Sequence, residues 1–250
     1  MPTTRIAIMA PSSNTVVEPG CGRMVAAIPG ATAHFARVEV LWIDDGADSL
    51  AQFQDAPMNE ACTLLSHVRP AVICWGGTAA SWLGLNWDRA LVARMAAVTG
   101  CPAVTATLSI LEALRELGSP KVGLVTPYVA EIQNRVIATL RDEGVDVVAE
   151  RHFDMTDNFS FGMVPEERIA DAARAVISEG AEAVIILCTN LAGAGIAETI
   201  ERETGVPVLD SVTLTVWGAL RAIRQDTGPL APWGLVVARL AAVAGDDMNT

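Results

Sequence analysis

Short β-branched runs alternate with longer stretches of helical periodicity along this chain. RIAIMA from Arg5 is followed by a predicted helix over 15–28, AVIC from Ala71 by one over 86–98, and KVGLVT from Lys121 by one over 129–141. VDVVA from Val145 precedes a helix over 165–178, AVIIL from Ala183 one over 193–204, and PVL from Pro207 one over 214–223. Strand and helix in strict alternation predict an α/β fold, a parallel sheet with helices on its faces. Gly100, Gly118, Gly144, Gly180 and Gly205 stand just past helical runs, where left-handed caps belong.

The pattern also repeats. RIAIMAP from Arg5 matches KVGLVTP from Lys121, and AVICWGGT from Ala71 matches AVIILCTN from Ala183. TGCPA from Thr99 then matches TGVPV from Thr204, and ALR from Ala113 matches ALR from Ala219, in the same order and offset by about 110 residues. Two similar Rossmann-like halves are expected, with parallel sheets related by a pseudo-twofold axis. Residues 1–107 plus 211–250 would form the first half and residues 108–210 the second. Ligands of open parallel sheets bind outside the carboxyl ends of the strands, so the active site is expected in the cleft between the halves.

Four strand ends then present Pro11, Ser12, Ser13, Asn14, Gly76, Gly77, Thr78, Tyr128, Cys188, Thr189 and Asn190 to one cleft. The set is rich in hydrogen-bond donors and poor in charge. Backbone N–H groups, hydroxyls and side-chain amides can hold a carboxylate without a fixed cation, especially near helix amino termini.

Composition narrows the partners. With 250 residues, 51% hydrophobic and 18% charged, the chain can bury a substantial core. A formal charge of -12 with only 17 Lys+Arg leaves no basic stripe for nucleic acid. No window reaches the roughly 18 uninterrupted apolar residues that cross a bilayer, and MPTTRIAIMA has too short an apolar run for a signal peptide. A cytoplasmic protein with no membrane partner is expected; self-association into a homo-oligomer stays open. The five cysteines (Cys21, Cys62, Cys74, Cys101, Cys188) lack CxxC or Cys/His zinc spacing, which points to reduced thiols and no metal. There is no GxGxxG after the first strand and no P-loop, so no cofactor is expected.

These residues carry a resemblance. The chain resembles the Asp/Glu racemase superfamily, in its branch of arylmalonate decarboxylases and maleate cis-trans isomerases, over roughly residues 5 to 224. PSSN from Pro11 to Asn14 is similar to the maleate isomerase signature, and Asn158, beside Asp157, to a carboxylate-binding asparagine of those enzymes. Gly77 and Thr78, followed by Ser81 and Trp82, look like the glycine-threonine turn of arylmalonate decarboxylase, and Tyr128 in TPY matches its oxyanion tyrosine. Cys188 falls on the catalytic cysteine shared by both. Racemases and isomerases of the superfamily have a second cysteine where this chain has Gly76 and Gly77. Racemisation needs an acid and a base on opposite faces of a carbon, whereas decarboxylation leaves an enediolate that needs stabilising donors and one proton from one face. A lone Cys188, resting as a thiol, suits the second. The resemblance thus implies a cofactor-independent decarboxylase of a substituted malonate or similar small dicarboxylate, with Cys188 as proton donor. The alternatives are a maleate isomerase or carboxylate racemase of the same superfamily, and a non-catalytic carboxylate-binding protein.

Several residues have a structural reading beside the functional one. Cys74 is read as structural, although in the cleft it would supply a second thiol. Cys21, Cys62 and Cys101 receive no role. Asn14 is also a candidate helix cap, Asn158 a candidate turn residue, and Tyr128 a candidate packing side chain. His34 and His152 lie on predicted strands away from their ends, and His67 ends a helix. SWLGLNW from Ser81 and FDMTDNFSF from Phe153 are either core or flexible loops over the cleft, the second with the composition of a lid. The repeat places Gly76 opposite Cys188, while the glycine-threonine turn selects Gly77.

Overall fold

A computed structural model of the chain describes residues 3–118, 120–234 and 240. The tail beyond residue 240 assigned to the first half lies outside the described residues.

Two four-stranded, all-parallel sheets carry the fold. The first takes β1 (Thr4–Pro11), β2 (Ala31–Val38), β3 (Val72–Trp75) and β4 (Ala103–Thr105) in the order β2-β1-β3-β4. The second takes β5 (Val122–Thr126), β6 (Val147–His152), β7 (Ala183–Ile186) and β8 (Val208–Asp210) in the order β6-β5-β7-β8. The second sheet therefore repeats the topology of the first. The inner strands β3, β5 and β7 are buried along their whole length, as expected where helices cover both faces of a parallel sheet.

Between the strands run α1 (Val17–Ala26), α2 (Ala47–Ala51), α3 (Asp55–Ser66), α4 (Ala80–Leu83), α5 (Leu85–Thr99) and α6 (Ala106–Glu116). The second half adds α7 (Ala130–Asp142), α8 (Asn158–Phe161), α9 (Glu166–Ser178), α10 (Ala194–Thr204) and α11 (Ser211–Ala222). α9 shows why these segments are helical: Ile169, Ala170, Ala173 and Val176 form one buried face, and Glu166 and Glu167 sit in the first turn, where the helix dipole favours anions. α11 leaves the second sheet at β8 and packs on α6, on α1 and on β3 and β4 of the first. All five glycines predicted as caps have positive φ.

β4 does not figure among the predicted strands, and β2 does so only through the placement of His34. β2 is an edge strand of mixed polarity, ATAHFARV, and β4 has three residues, too few to show a period. His152 is the last residue of β6, not an interior one, and its ring pairs with Glu150 at 2.9 Å.

The ladders also correct the repeat alignment around the glycines. Met9 pairs with Trp75 in the first sheet, and its repeat mate Val125 pairs with Ile186 in the second. The N–H of Gly76 donates to the carbonyl of Met9, just as that of Leu187 donates to Val125. Trp75 is therefore the counterpart of Ile186, and Gly77 that of Cys188. Matching the identical AVI triplets slips the alignment by one residue, whereas register is set by the strand that both neighbours share.

Candidate active site

A cavity of about 20 Å3 lies at the carboxyl ends of the strands, walled by residues of both halves. Pro11, Gly77, Thr78, Tyr128, Asn158, Cys188 and Thr189 belong to its wall, together with Val40, Ile43, Phe53, Trp75, Ala79 and Trp82. It has room for about one water molecule.

Cys188 follows β7 and is 5% exposed. Its sulfur accepts the N–H of Asn190 at 3.4 Å and meets the Tyr128 hydroxyl. Burial dominates over these contacts and pushes the thiol up to about 12, so it holds its proton at neutral pH. Tyr128 follows β5; its hydroxyl lies 3.0 Å from Thr78 Oγ1, and its ring packs edge-on against Phe161 at 5.8 Å. Burial first, and the neighbouring Cys188 second, hold its phenol well above the usual range, so it remains a donor. Thr78, Tyr128 and Cys188 thus form a neutral, buried chain of hydrogen-bonding groups from both halves.

Ser12, Ser13, Asn14, Gly76 and Asn190 stand behind the wall. Asn14 Oδ1 accepts the N–H groups of Val16 and Val17 at 2.9 Å each, the cap expected of it, and its amide donates to Thr189 Oγ1 at 3.1 Å. Thr189 Oγ1 donates in turn to the carbonyl of Gly76 at 2.8 Å. Asn190 Oδ1 accepts the N–H of Thr15 at 2.9 Å, and its amide donates to the carbonyl of Asn158. These bonds tie the ends of β1, β3 and β7 together. Ser12 accepts the N–H of Val40 and Ser13 donates to the carbonyl of Val40, which fixes the segment carrying the wall residues Val40 and Ile43.

Asn158 opens the one-turn helix α8 and donates to Ser13 Oγ at 2.7 Å. The segment before it is clipped to residues 41–43: Ile43 N–H donates to Thr156 O at 2.8 Å, and Asn158 N–H to Leu41 O at 2.9 Å. The stretch read as either core or a flexible loop is thus a strap bonded to the connection that follows β2. SWLGLNW lies in α4 and the start of α5, and its indoles pack in a cluster with Phe53 rather than in a loose loop.

Cys74 is fully buried on β3 and does not line the cavity. Its neighbours on a strand point the other way, and the adjacent Trp75 faces the site. Among the described residues Cys188 is the one cysteine in the wall. Gly77 rather than Gly76 faces it. A Cβ on Gly76 would meet Val17 and Ile8 in the core, while a Cβ on Gly77 would stand 2.5 Å from Cζ2 of Trp75. The space that a side chain at position 77 would take is filled by the Trp75 indole.

Of the apolar wall, sequence reasoning reached Trp82, within SWLGLNW, and missed the rest. Val40, Ile43 and Phe53 come from the connection between β2 and α3, which lies outside the segments that match in the repeat. Trp75, the last residue of β3, carried a usable signal two residues before Gly77, but only once register was known.

Among the described residues no group of three or more His, Cys, Asp or Glu could hold a metal ion, and no helix is long and apolar enough to cross a membrane. The family model of arylmalonate decarboxylase matches residues 47–232. A curated maleate isomerase from Nocardia farcinica is 30% identical over 88% of this chain and 90% of its own length. Arylmalonate decarboxylase of Bordetella bronchiseptica is 29% identical over 60% of this chain and 64% of its own. Among solved structures, a serine-for-cysteine mutant of the Nocardia farcinica maleate cis-trans isomerase with a covalently bound succinylcysteine intermediate superposes with a TM-score of 0.85 at 26% identity, covering 95% of this chain and 99% of that one.

Proposed function

This chain belongs to the arylmalonate decarboxylase family, and we propose that it is a cofactor-independent decarboxylase of a small substituted malonate or similar dicarboxylate, with Cys188 as the proton donor. One observation carries the reading. The wall holds a single thiol, and the matching position of the other half is Gly77, covered by the Trp75 indole.

One carboxylate of the substrate accepts from Thr78, Tyr128 and the backbone N–H groups of the two strand-end turns. The other lies against Val40 and Ile43, where it loses hydration and departs as neutral CO2. The bond electrons stay on the α-carbon and its carboxylate as an enediolate, whose growing charge the polar wall stabilises more than it did the ground state. Cys188 Sγ–H then protonates the α-carbon. The thiolate left behind is strongly disfavoured by burial and takes its proton back from water. Asn14, Asn158 and Thr189 hold these groups in place, and Thr189 ties Cys188 to the glycine turn.

A second reading, maleate isomerisation, is favoured by the names of several relatives. In the solved Nocardia mutant one cysteine is replaced by serine and a succinyl group is covalently bound to a cysteine. The facing position here is a glycine. Purified protein incubated with methylmalonate or phenylmalonate, maleate and aspartate separates the readings. CO2 release supports decarboxylation, fumarate or racemised aspartate the isomerase or racemase reading. Ligand-raised Tm without turnover would leave a carboxylate-binding protein.

A further inference from the structure

The wall around Gly77 is apolar by residue type, yet it contains two donors. Trp75 on β3 is fully buried and Trp82 on α4 is 5% exposed, and both indoles line the cavity with Cys188. Neither Nε1 has a hydrogen-bond acceptor among the described residues. Native structures rarely leave a buried N–H unpaired, because its lost hydration is not returned. Trp217 Nε1 is also without an acceptor, but it lies on α11 and is no part of the cavity wall. It therefore serves as a control, an unpaired indole away from the cavity wall.

Both rings are fixed in place. Trp75 Cζ2, Cε2 and Nε1 lie 2.5, 2.6 and 2.9 Å from where a Cβ on Gly77 would stand, so the absence of that side chain is what admits the indole. Trp87 packs edge-on against Trp75 at 6.4 Å, and Phe53 against Trp82 at 5.3 Å. Donors held this rigidly lose little freedom on meeting an acceptor.

We propose that the Nε1–H groups of Trp75 and Trp82 are substrate donors that select dicarboxylates whose α-substituent is short and carries a hydrogen-bond-accepting oxygen. The proposal rests on the decarboxylase reading, which assigns one carboxylate to Thr78 and Tyr128 and the other to Val40 and Ile43. The remaining substituent then faces the indoles, and the packed rings leave no space for a bulky one.

Methoxymalonate and ethylmalonate test this, since they differ by an ether oxygen in place of a methylene. The kcat/KM ratio of the two should fall about tenfold or more from the wild-type chain to Trp75→Phe/Trp82→Phe, which keeps one aromatic ring at each position and removes both N–H groups, with the change carried mainly in KM. Trp217→Phe should leave the ratio unchanged. An unchanged ratio in the double variant, or an equal fall in Trp217→Phe, overturns the proposal. A readout independent of turnover and of variant folding is the Trp75 indole 15N–H resonance of the wild-type protein, assigned by its loss in Trp75→Phe. It should move downfield, saturably, with methoxymalonate and not with ethylmalonate. Should neither malonate release CO2, the decarboxylase reading falls while this resonance still decides. A downfield shift upholds the donor role, and no shift, whether or not calorimetry detects binding, overturns it.

Discussion

β3 and β7 occupy the same place in their sheets, pair with corresponding mates and are equally buried, yet they end differently. β7 runs on into Leu187 and then Cys188, whose thiol meets the cavity. β3 runs on into Gly76 and then Gly77, which carries no side chain and is covered by the ring of Trp75. The frame is duplicated and the chemistry is not. A symmetric pair of thiols would set an acid and a base on opposite sides of a carbon; here one side carries a thiol and the other an indole.

The largest effect should come from deleting the asymmetry at its reactive end. Cys188→Ala is expected to lower kcat for CO2 release by 10^2–10^4-fold, the usual contribution of a positioned general acid, while calorimetry still detects dicarboxylate binding. Retained turnover would mean the proton comes from elsewhere. Next in size, Tyr128→Phe removes the donor that links Thr78 to Cys188 and should cost kcat about 10^2–10^3-fold with a smaller change in KM.

Restoring symmetry is a subtler intervention. Gly77→Cys alone should not produce a second working thiol, because its Cβ would collide with the Trp75 ring. Paired with Trp75→Ala it should, and the double variant is expected to exchange the α-proton of an optically active product acid in D2O and erode its optical purity. Exchange by the single variant at the same rate would show that the indole is no obstacle.

Much of this comparison was legible in the sequence because it rests on periodicity and duplication. The repeated RIAIMAP and KVGLVTP runs gave the paired sheets, and the strand-end residues gave Thr78, Tyr128, Cys188 and Thr189. What the sequence could not supply is register. Two AVI triplets align by identity, but hydrogen bonds from β1 and β5 place Gly77, not Gly76, against Cys188. Nor could it supply Val40, Ile43 and Phe53, which reach the cavity from a connection whose path is fixed by Ser12, Ser13 and the strap at 154–158 rather than by any local pattern.

The smallest effect concerns stability, at another pair of matched positions. Thr105 ends β4 and caps α6 by accepting Leu108 N–H; its counterpart Asp210 ends β8 and caps α11 by accepting Val212 and Thr213 N–H at 2.9 and 3.0 Å. The first half keeps its acid one step back, at Asp88, which accepts the Thr105 hydroxyl. Both acids are buried, each leaves one carboxylate oxygen without a partner, and burial pushes both up to about 7. Because the folded value lies above the unfolded one of about 4, each group's contribution is fully present below pH 4 and is lost as pH rises through 7. Asp210→Asn keeps the capping oxygen and removes the charge, so its Tm should fall less than that of the wild-type chain between pH 4 and 8 and exceed it at pH 8, by an amount corresponding to at most a few kcal/mol. Asp88→Asn should flatten the same window independently, and the two should add, since Asp88 bonds Thr105 while Asp210 caps α11 and the two share no hydrogen-bond partner. Parallel Tm curves for wild type and both variants would show that neither carboxyl titrates differently on folding, and would remove this second asymmetry between the halves.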